Sequence, residues 1–130
     1  MSTVKVNTLT GVSTAGSIAV TGEGNSTTTN LQQGLAKAWL GHATDSSQSI
    51  AGDTFNVSGF TDVATGYSTH TLTNNMNTGA NTYPVQNTAA GNYPYHGVAD
   101  SSSVFRLRTV NDAGNSADGI KNGLVHGDLA

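Results

Sequence analysis

The chain has 130 residues, a net charge of -3 and no cysteine, and only 10% of it is charged, against roughly 25% in an ordinary soluble domain. No disulfide or thiolate metal site is available, and five dispersed basic residues argue against nucleic acid as a partner. No apolar run approaches the ~20 residues that span a bilayer, and the start lacks a basic segment followed by an apolar one, so the reading is of no membrane insertion and no visible export signal.

Thr, Ser, Asn and Gly make up nearly half of the residues. Thr suits a pleated surface while Asn and Gly tolerate positive φ, so this composition favours strands joined by tight turns. The length predicts one domain, and few large side chains are available for its core: one Trp, three Phe and four Tyr. A surface so poor in Lys and Glu fits a subunit covered by copies of itself or by neighbours better than a free monomer.

Residues 1–30 form a low-complexity segment. Val4 and Val6 share a face across Lys5, and Ile18 and Val20 do likewise, giving two short strands at best. This piece holds too little apolar material to fold alone, so residues 1–30 are expected to be an attachment or intertwining arm, with Val4, Val6, Ile18 and Val20 contacting a partner. The body is expected over residues 31–130. "LQQGLAKAWLGHA" can begin a helical turn, but Gly34 and Gly41 oppose a long helix. Ala36 to Ala43 reads as a strand with Trp39 in the core, followed by a polar loop, "TDSSQSIAGD".

In "FNVSGFTDVATGYSTHTLT", Phe55 and Val57 share a face and Ser58-Gly59 shifts the register. Ala64-Thr65-Gly66 is a tight connection; Tyr67, Thr69, Thr71 and Thr73 then face one way, and Ser68, His70 and Leu72 the other. Further strands are expected near Tyr83 to Ala90 and Tyr93 to Ala99, with Pro84 and Pro94 at strand starts or sheet edges. In "SSSVFRLRTVND", Phe105, Leu107 and Thr109 alternate with Arg106 and Arg108, and "IKNGLVHGD" forms the last strand. About seven short strands at this spacing predict an all-β fold, an antiparallel β-sandwich with an extended N-terminal arm.

Little in the chain points to catalysis. No serine lies in a G-x-S-x-G elbow, no convergent pair of acids is visible, and the four histidines belong to different elements. They read as solvent-facing or singly hydrogen-bonded. Asp45 and Asp53 flank a loop, but no calcium-loop pattern surrounds them. The expectation is of no enzyme activity, no catalytic residue, no cofactor and no metal. Arg106 and Arg108 share one strand face, either as a clamp for phosphate or carboxylate or as a solvated face paired with an acid such as Asp118. Tyr67, Tyr83, Tyr93 and Tyr95 would make a surface for stacking on a glycan or for an interface if clustered, and Tyr93 and Tyr95 project to one face of one strand; Trp39, Phe55, Phe60 and Phe105 read as core.

Three strings carry a resemblance. "MSTVKVNTLT" resembles the opening of short tail-fibre and virion proteins of marine bacteriophages. "GLAKAW" followed by "FNVSGFTDVATGYSTHTLTNNM", and the late "FRLRTVNDAGN", resemble the body of a small phage structural protein. The resemblance implies a non-enzymatic component of the phage particle and supplies no active-site residue. Joined to the composition, it leads to the expectation of a tail-fibre-like or receptor-binding protein. It would assemble as a symmetric homotrimer, bound to other virion proteins and in reach of a host-surface glycan or protein. A capsid decoration or cement protein is the alternative, and a carbohydrate-binding or carbohydrate-active domain comes third.

Overall fold

A computed structural model describes residues 3–12, 18–21, 28–43, 49–90 and 93–130. Apart from one helical turn, α1 (Leu31–Gly34), the regular structure among these is all strand. The fold is all-β, and every strand pairing in it is antiparallel. β1 (Ala19–Thr21) and β2 (Thr28–Asn30) form a small ribbon. The other strands are β3 (Ala38–Ala43), β4 (Ser49–Phe55), β5 (Val57–Ala64), β6 (Tyr67–Leu72), β7 (Val85–Ala90), β8 (Tyr93–Ala99), β9 (Val104–Val110) and β10 (Ile120–Val125). They make two four-stranded sheets, in the orders β4-β3-β10-β7 and β5-β6-β9-β8. No described helix is long and apolar enough to cross a membrane.

The two sheets enclose one core in a sandwich-like arrangement. Ala38, Leu40 and Val125 come from the first sheet, and Leu72, Ala99, Phe105 and Leu107 from the second. Met76 and Tyr83, from the β6–β7 connection, close one end. The Met76 amide donates to Ser102 O at 2.7 Å. The Tyr83 hydroxyl donates to the carbonyls of Ser101 and Val104, at 2.8 and 3.0 Å. On β6 and β9 the alternation follows the sequence pattern: Ser68, His70 and Leu72, and Phe105, Leu107 and Thr109, all point inward.

The four aromatic residues expected in the core meet different outcomes. Phe105 is fully buried and Phe60 half-buried, but Trp39 is 40% and Phe55 48% exposed. The alternation through β3 is as read, yet its inward face is the other one. Ala38 and Leu40 pair with Val125 and Gly123 of β10. A Cβ on Gly123 would already lie 3.1 Å from Leu107 and 3.3 Å from Phe105, so this layer has no room for an indole. Trp39 sits instead in an outward row, paired with Phe55 on one side and Leu124 on the other.

Phe55 and Val57 do not share a face, because the chain turns a corner between them. Asn56 has φ 58°, the left-handed conformation that its short polar side chain tolerates. Its Nδ2 donates to Lys37 O at 2.9 Å and Asn74 O at 3.1 Å, and its Oδ1 accepts from Asn74 N at 2.7 Å and Asn74 Nδ2 at 3.1 Å. β4 therefore ends in one sheet and β5 begins in the other.

The "SIAGD" part of the expected polar loop belongs to strand β4, held by β3 from Trp39↔Phe55 to Ala43↔Ser49. The strand expected from Tyr83 begins at Val85, and no strand forms at Val4 and Val6. The register shift near Ser58-Gly59 is present, between Val57 and Gly59. The turn at Thr65-Gly66 is present too: Gly66 has φ 70°, donates its amide to Asp118 Oδ1 at 2.6 Å and receives the Thr109 amide at its carbonyl, 2.9 Å away. A Cβ there would stand 2.6 Å from Thr109 O.

Asn56→Gly keeps the left-handed backbone but loses the side-chain hydrogen bonds, and is expected to cost about 2 kcal/mol in urea unfolding. Asn56→Ala adds the backbone penalty and is expected to cost about 3 kcal/mol; an unchanged midpoint for Asn56→Ala would refute the corner's role. Burial, then Asp100, push the Tyr83 phenol up to about 12 from an ordinary 10.0. Its folded value lies above its unfolded one, so its contribution is intact below pH about 10 and fades as pH rises to about 12. Melting curves across that range should fall less steeply for Tyr83→Phe than for the parent, and equal slopes would contradict the assignment.

Candidate functional site

The outer face of the β5-β6-β9-β8 sheet carries an open groove of about 500 Å³, lined by Ala64, Thr65, Tyr67, His96, Arg106, Arg108 and Ser116. Strand alternation explains why the arginines reach it: Phe105, Leu107 and Thr109 fill the core, so Arg106 and Arg108 project from the opposite side of β9. Register supplies the neighbours. Tyr67 of β6 is paired with Arg108 on one side, and His96 of β8 is paired with it on the other.

A bulge completes the arrangement. The pairing of β8 jumps between Pro94 and His96, so Tyr95 is an extra residue, and bulges re-aim side chains in this way. The Tyr95 ring lies 4.8 Å from the His96 ring, and the Arg108 guanidinium carbon lies 4.9 Å from the Tyr95 ring centre. From the other sheet, Asn87 of β7 donates its Nδ2 to Arg108 O at 2.7 Å and to His96 O at 3.4 Å. It thereby fixes the backbone of the two residues that face each other across the groove floor.

The arginines are held differently. Arg106 Nη1 donates to the Tyr67 hydroxyl at 3.0 Å, and its Nε lies 3.1 Å from Asp100 Oδ1. That second contact is an attraction of charges, since its angle falls short of a hydrogen bond. With both partners about a third exposed, it contributes under about 1 kcal/mol. The Tyr67 hydrogen bond, and then Asp100, hold the guanidinium more firmly protonated than usual. Arg108 Nη2 donates to Ser116 Oγ at 2.9 Å; among the described residues no carboxylate lies within 4.0 Å of it. His96 is held below its ordinary range, first by burial and then by Arg106 and Arg108, with Asp100 opposing. The groove therefore presents guanidinium charge, aromatic faces and hydroxyls, and none of its lining residues is acidic.

Arg106 and Arg108 project together, as their shared face implied, and the bulge brings Tyr95 against Arg108. Neither Tyr93 nor Tyr95, both 58% exposed, is a lining residue: Tyr95 stands beside the groove against Arg108, whereas Tyr93 pairs with Val110. Asp118 does not pair with Arg106 or Arg108; it accepts the Gly66 amide. His96 and Ser116 are the members that sequence reasoning missed; Tyr67 belongs to the four tyrosines read as a stacking surface if clustered. For Tyr67 the signal was its place opposite Ser68 and His70 on an alternating strand; Ser116 comes from a turn and left none. Val4, Val6 and Val20 are exposed, and the Ile18 carbonyl accepts the Leu31 amide at 2.8 Å. Asp45 lies outside the described residues and Asp53 is exposed on β4. No cluster of three metal-ligating side chains occurs among the described residues.

A second polar constellation lies inside the core. Ser68 Oγ is 3.2 Å from His70 Nε2, and Lys121 Nζ donates to the same Oγ at 3.4 Å. His70 stacks on Phe105 at 5.0 Å and is fully buried; of the two expected states, solvent-facing or hydrogen-bonded, it takes the hydrogen-bonded one. These are residue types that activate a nucleophile elsewhere, but all three are 0% exposed, so no substrate reaches them in this conformation. The cluster joins β10 of one sheet to β6 of the other. Burial lowers the Lys121 pKa, against Asp118 and Asp62, which raise it.

Because the folded Lys121 pKa lies below the unfolded one, its effect on stability turns less favourable as pH falls from about 10.5 through the folded value. Lys121→Met is therefore expected to be more stable than the parent at neutral pH, on the order of 1 kcal/mol. That advantage should shrink towards pH 10.5 in urea unfolding curves, and a large loss at neutral pH would show that the ammonium is favourable where it lies.

Comparison with family models, curated proteins and solved structures finds no match to this chain, so the chemistry of the groove rests on its own residues.

Proposed function

We propose that the chain is a non-enzymatic structural subunit of a bacteriophage particle, a tail-fibre-like protein that assembles as a symmetric trimer. In this reading the body is an antiparallel β-sandwich and residues 1–30 are the arm that joins it to its neighbours. One observation carries the proposal: apolar side chains lie uncovered on two separate parts of the molecule. Val4, Val6, Leu9 and Val12 are all more than 60% exposed along the N-terminal residues. On the body, Phe55, Trp39 and Leu124 form a continuous outward row across the first sheet.

Each square ångström of apolar surface removed from water contributes about 25 cal/mol, so such a row is favourable to cover. A closed three-fold ring covers it without leaving a growing end. The low charge and the resemblance of "MSTVKVNTLT" and "FRLRTVNDAGN" to phage virion proteins support the same setting. The groove on the opposite sheet then faces outward, towards a host surface. A decoration protein of the capsid would use the same arm and the same row, and differs only in its place on the particle.

Light scattering of the full chain should give the mass of a trimer, and Trp39→Ser should shift it towards monomer with the fold intact by circular dichroism. A monomer at every concentration would overturn the assembly reading. Removing residues 1–30 should leave a folded body that no longer joins particles. Antibody labelling of particles decides between tail and head, and head labelling would replace the fibre reading by decoration.

A further inference from the structure

The groove's chemistry is more specific than a general anion site. We propose that it binds a saccharide bearing a single carboxylate, with Arg108 holding the carboxylate and the Tyr95 and Tyr67 rings packing against the sugar. The proposal rests on the attachment reading for its biological setting and on the groove alone for its chemistry.

Four observations converge on it. Arg108 carries a full charge and, among the described residues, has a hydroxyl but no carboxylate as its partner. A guanidinium matches a carboxylate through two parallel N–H donors, and it is positioned in advance here by Ser116, by the Tyr95 ring and by the Asn87 contact to its backbone. Charge counts select a monoanion. Arg106 and Arg108 contribute two positive charges, Asp100 behind Arg106 offsets one, and no lining residue is acidic. A phosphate near neutral pH, approaching two negative charges, would be undercompensated.

The remaining surface selects a sugar over a bare acid. Tyr95 is 58% exposed beside the guanidinium, Tyr67 forms part of the wall, and both present an apolar ring face with a polar rim. Thr65 and Ser116 add hydroxyl groups at the margin, suited to a ligand that is itself covered in hydroxyls. The volume of about 500 Å³ lies within the roughly 300–1,000 Å³ of small-molecule sites. Arg106, held by Tyr67 and Asp100, donates to the Tyr67 hydroxyl and so ties down the rim of that ring.

The test is titration of the full chain, by calorimetry or by chemical-shift perturbation, with galacturonic acid and with N-acetylneuraminic acid, each bearing one carboxylate. The methyl ester of galacturonic acid, sodium acetate and inorganic phosphate serve as comparators. At least one of the two acidic saccharides should bind at millimolar concentration or below. Arg108→Ala should weaken that binding by about tenfold or more, Arg108→Lys less, and Tyr95→Ala by several-fold.

Binding of neither acidic saccharide would overturn the proposal. So would equal binding of the methyl ester, because the carboxylate would then not be read. Equal binding of acetate, or tighter binding of phosphate, would show that the sugar is not recognised. Both Arg108 variants are checked for an unchanged melting profile. If neither folds, Tyr95→Ala and Thr65→Ala, on exposed positions, carry the same test. A monomeric chain that binds the saccharide would sink the trimer and keep the groove; a trimer that binds neither would do the reverse.

Discussion

Asn56 is where the two sheets become one molecule. A run of residues with strand propensity on both sides of it would by default continue as one long strand in one sheet. The left-handed φ of 58° breaks the run, and the bonds to Lys37 and Asn74 hold the break in place. β4 can then edge the first sheet while β5 edges the second, and the core between them follows. The outward placement of Phe55 and the core contact of Val57 are two results of that one turn. β7 and β8 occupy the opposite edges of the same two sheets.

Much of this was legible where the governing interactions are local. The alternation of β6 and β9, the Thr65–Gly66 turn, the shift before Gly59 and the extent of β8 all follow from spacing and turn chemistry within a few residues. The face of β3 was not legible. Alternation separates Trp39 from Ala38 and Leu40, but which set points inward depends on Gly123 and Val125, partners far along the chain. Size favoured Trp39 for the core, whereas the actual layer is thin and takes Leu40 over a glycine. The "SIAGD" segment is polar enough to read as loop and becomes strand because β3 offers it a ladder.

The groove was legible in part for the same reason. Arg106 and Arg108 share a face by alternation alone. Their company depends on register between strands, and Tyr95 joins them only through a bulge that no local pattern announced. The contrast with the buried cluster is instructive. Ser68, His70 and Lys121 hold more reactive chemistry than the groove, but it is sealed, and its effect is on cohesion between sheets. The groove offers plainer groups and offers them to solvent.

The irregular pairing of the second sheet has a consequence at its borders. Both of its border strands are interrupted: β5 shifts register twice along its length, and β8 shifts once and carries Pro94 near its start. A straight, uninterrupted border is a template on which another chain can lay down a strand, and repetition of that event yields fibrils. Here an incoming strand would lose register within a few residues. This sheet's borders are therefore poor templates for strand addition by another chain.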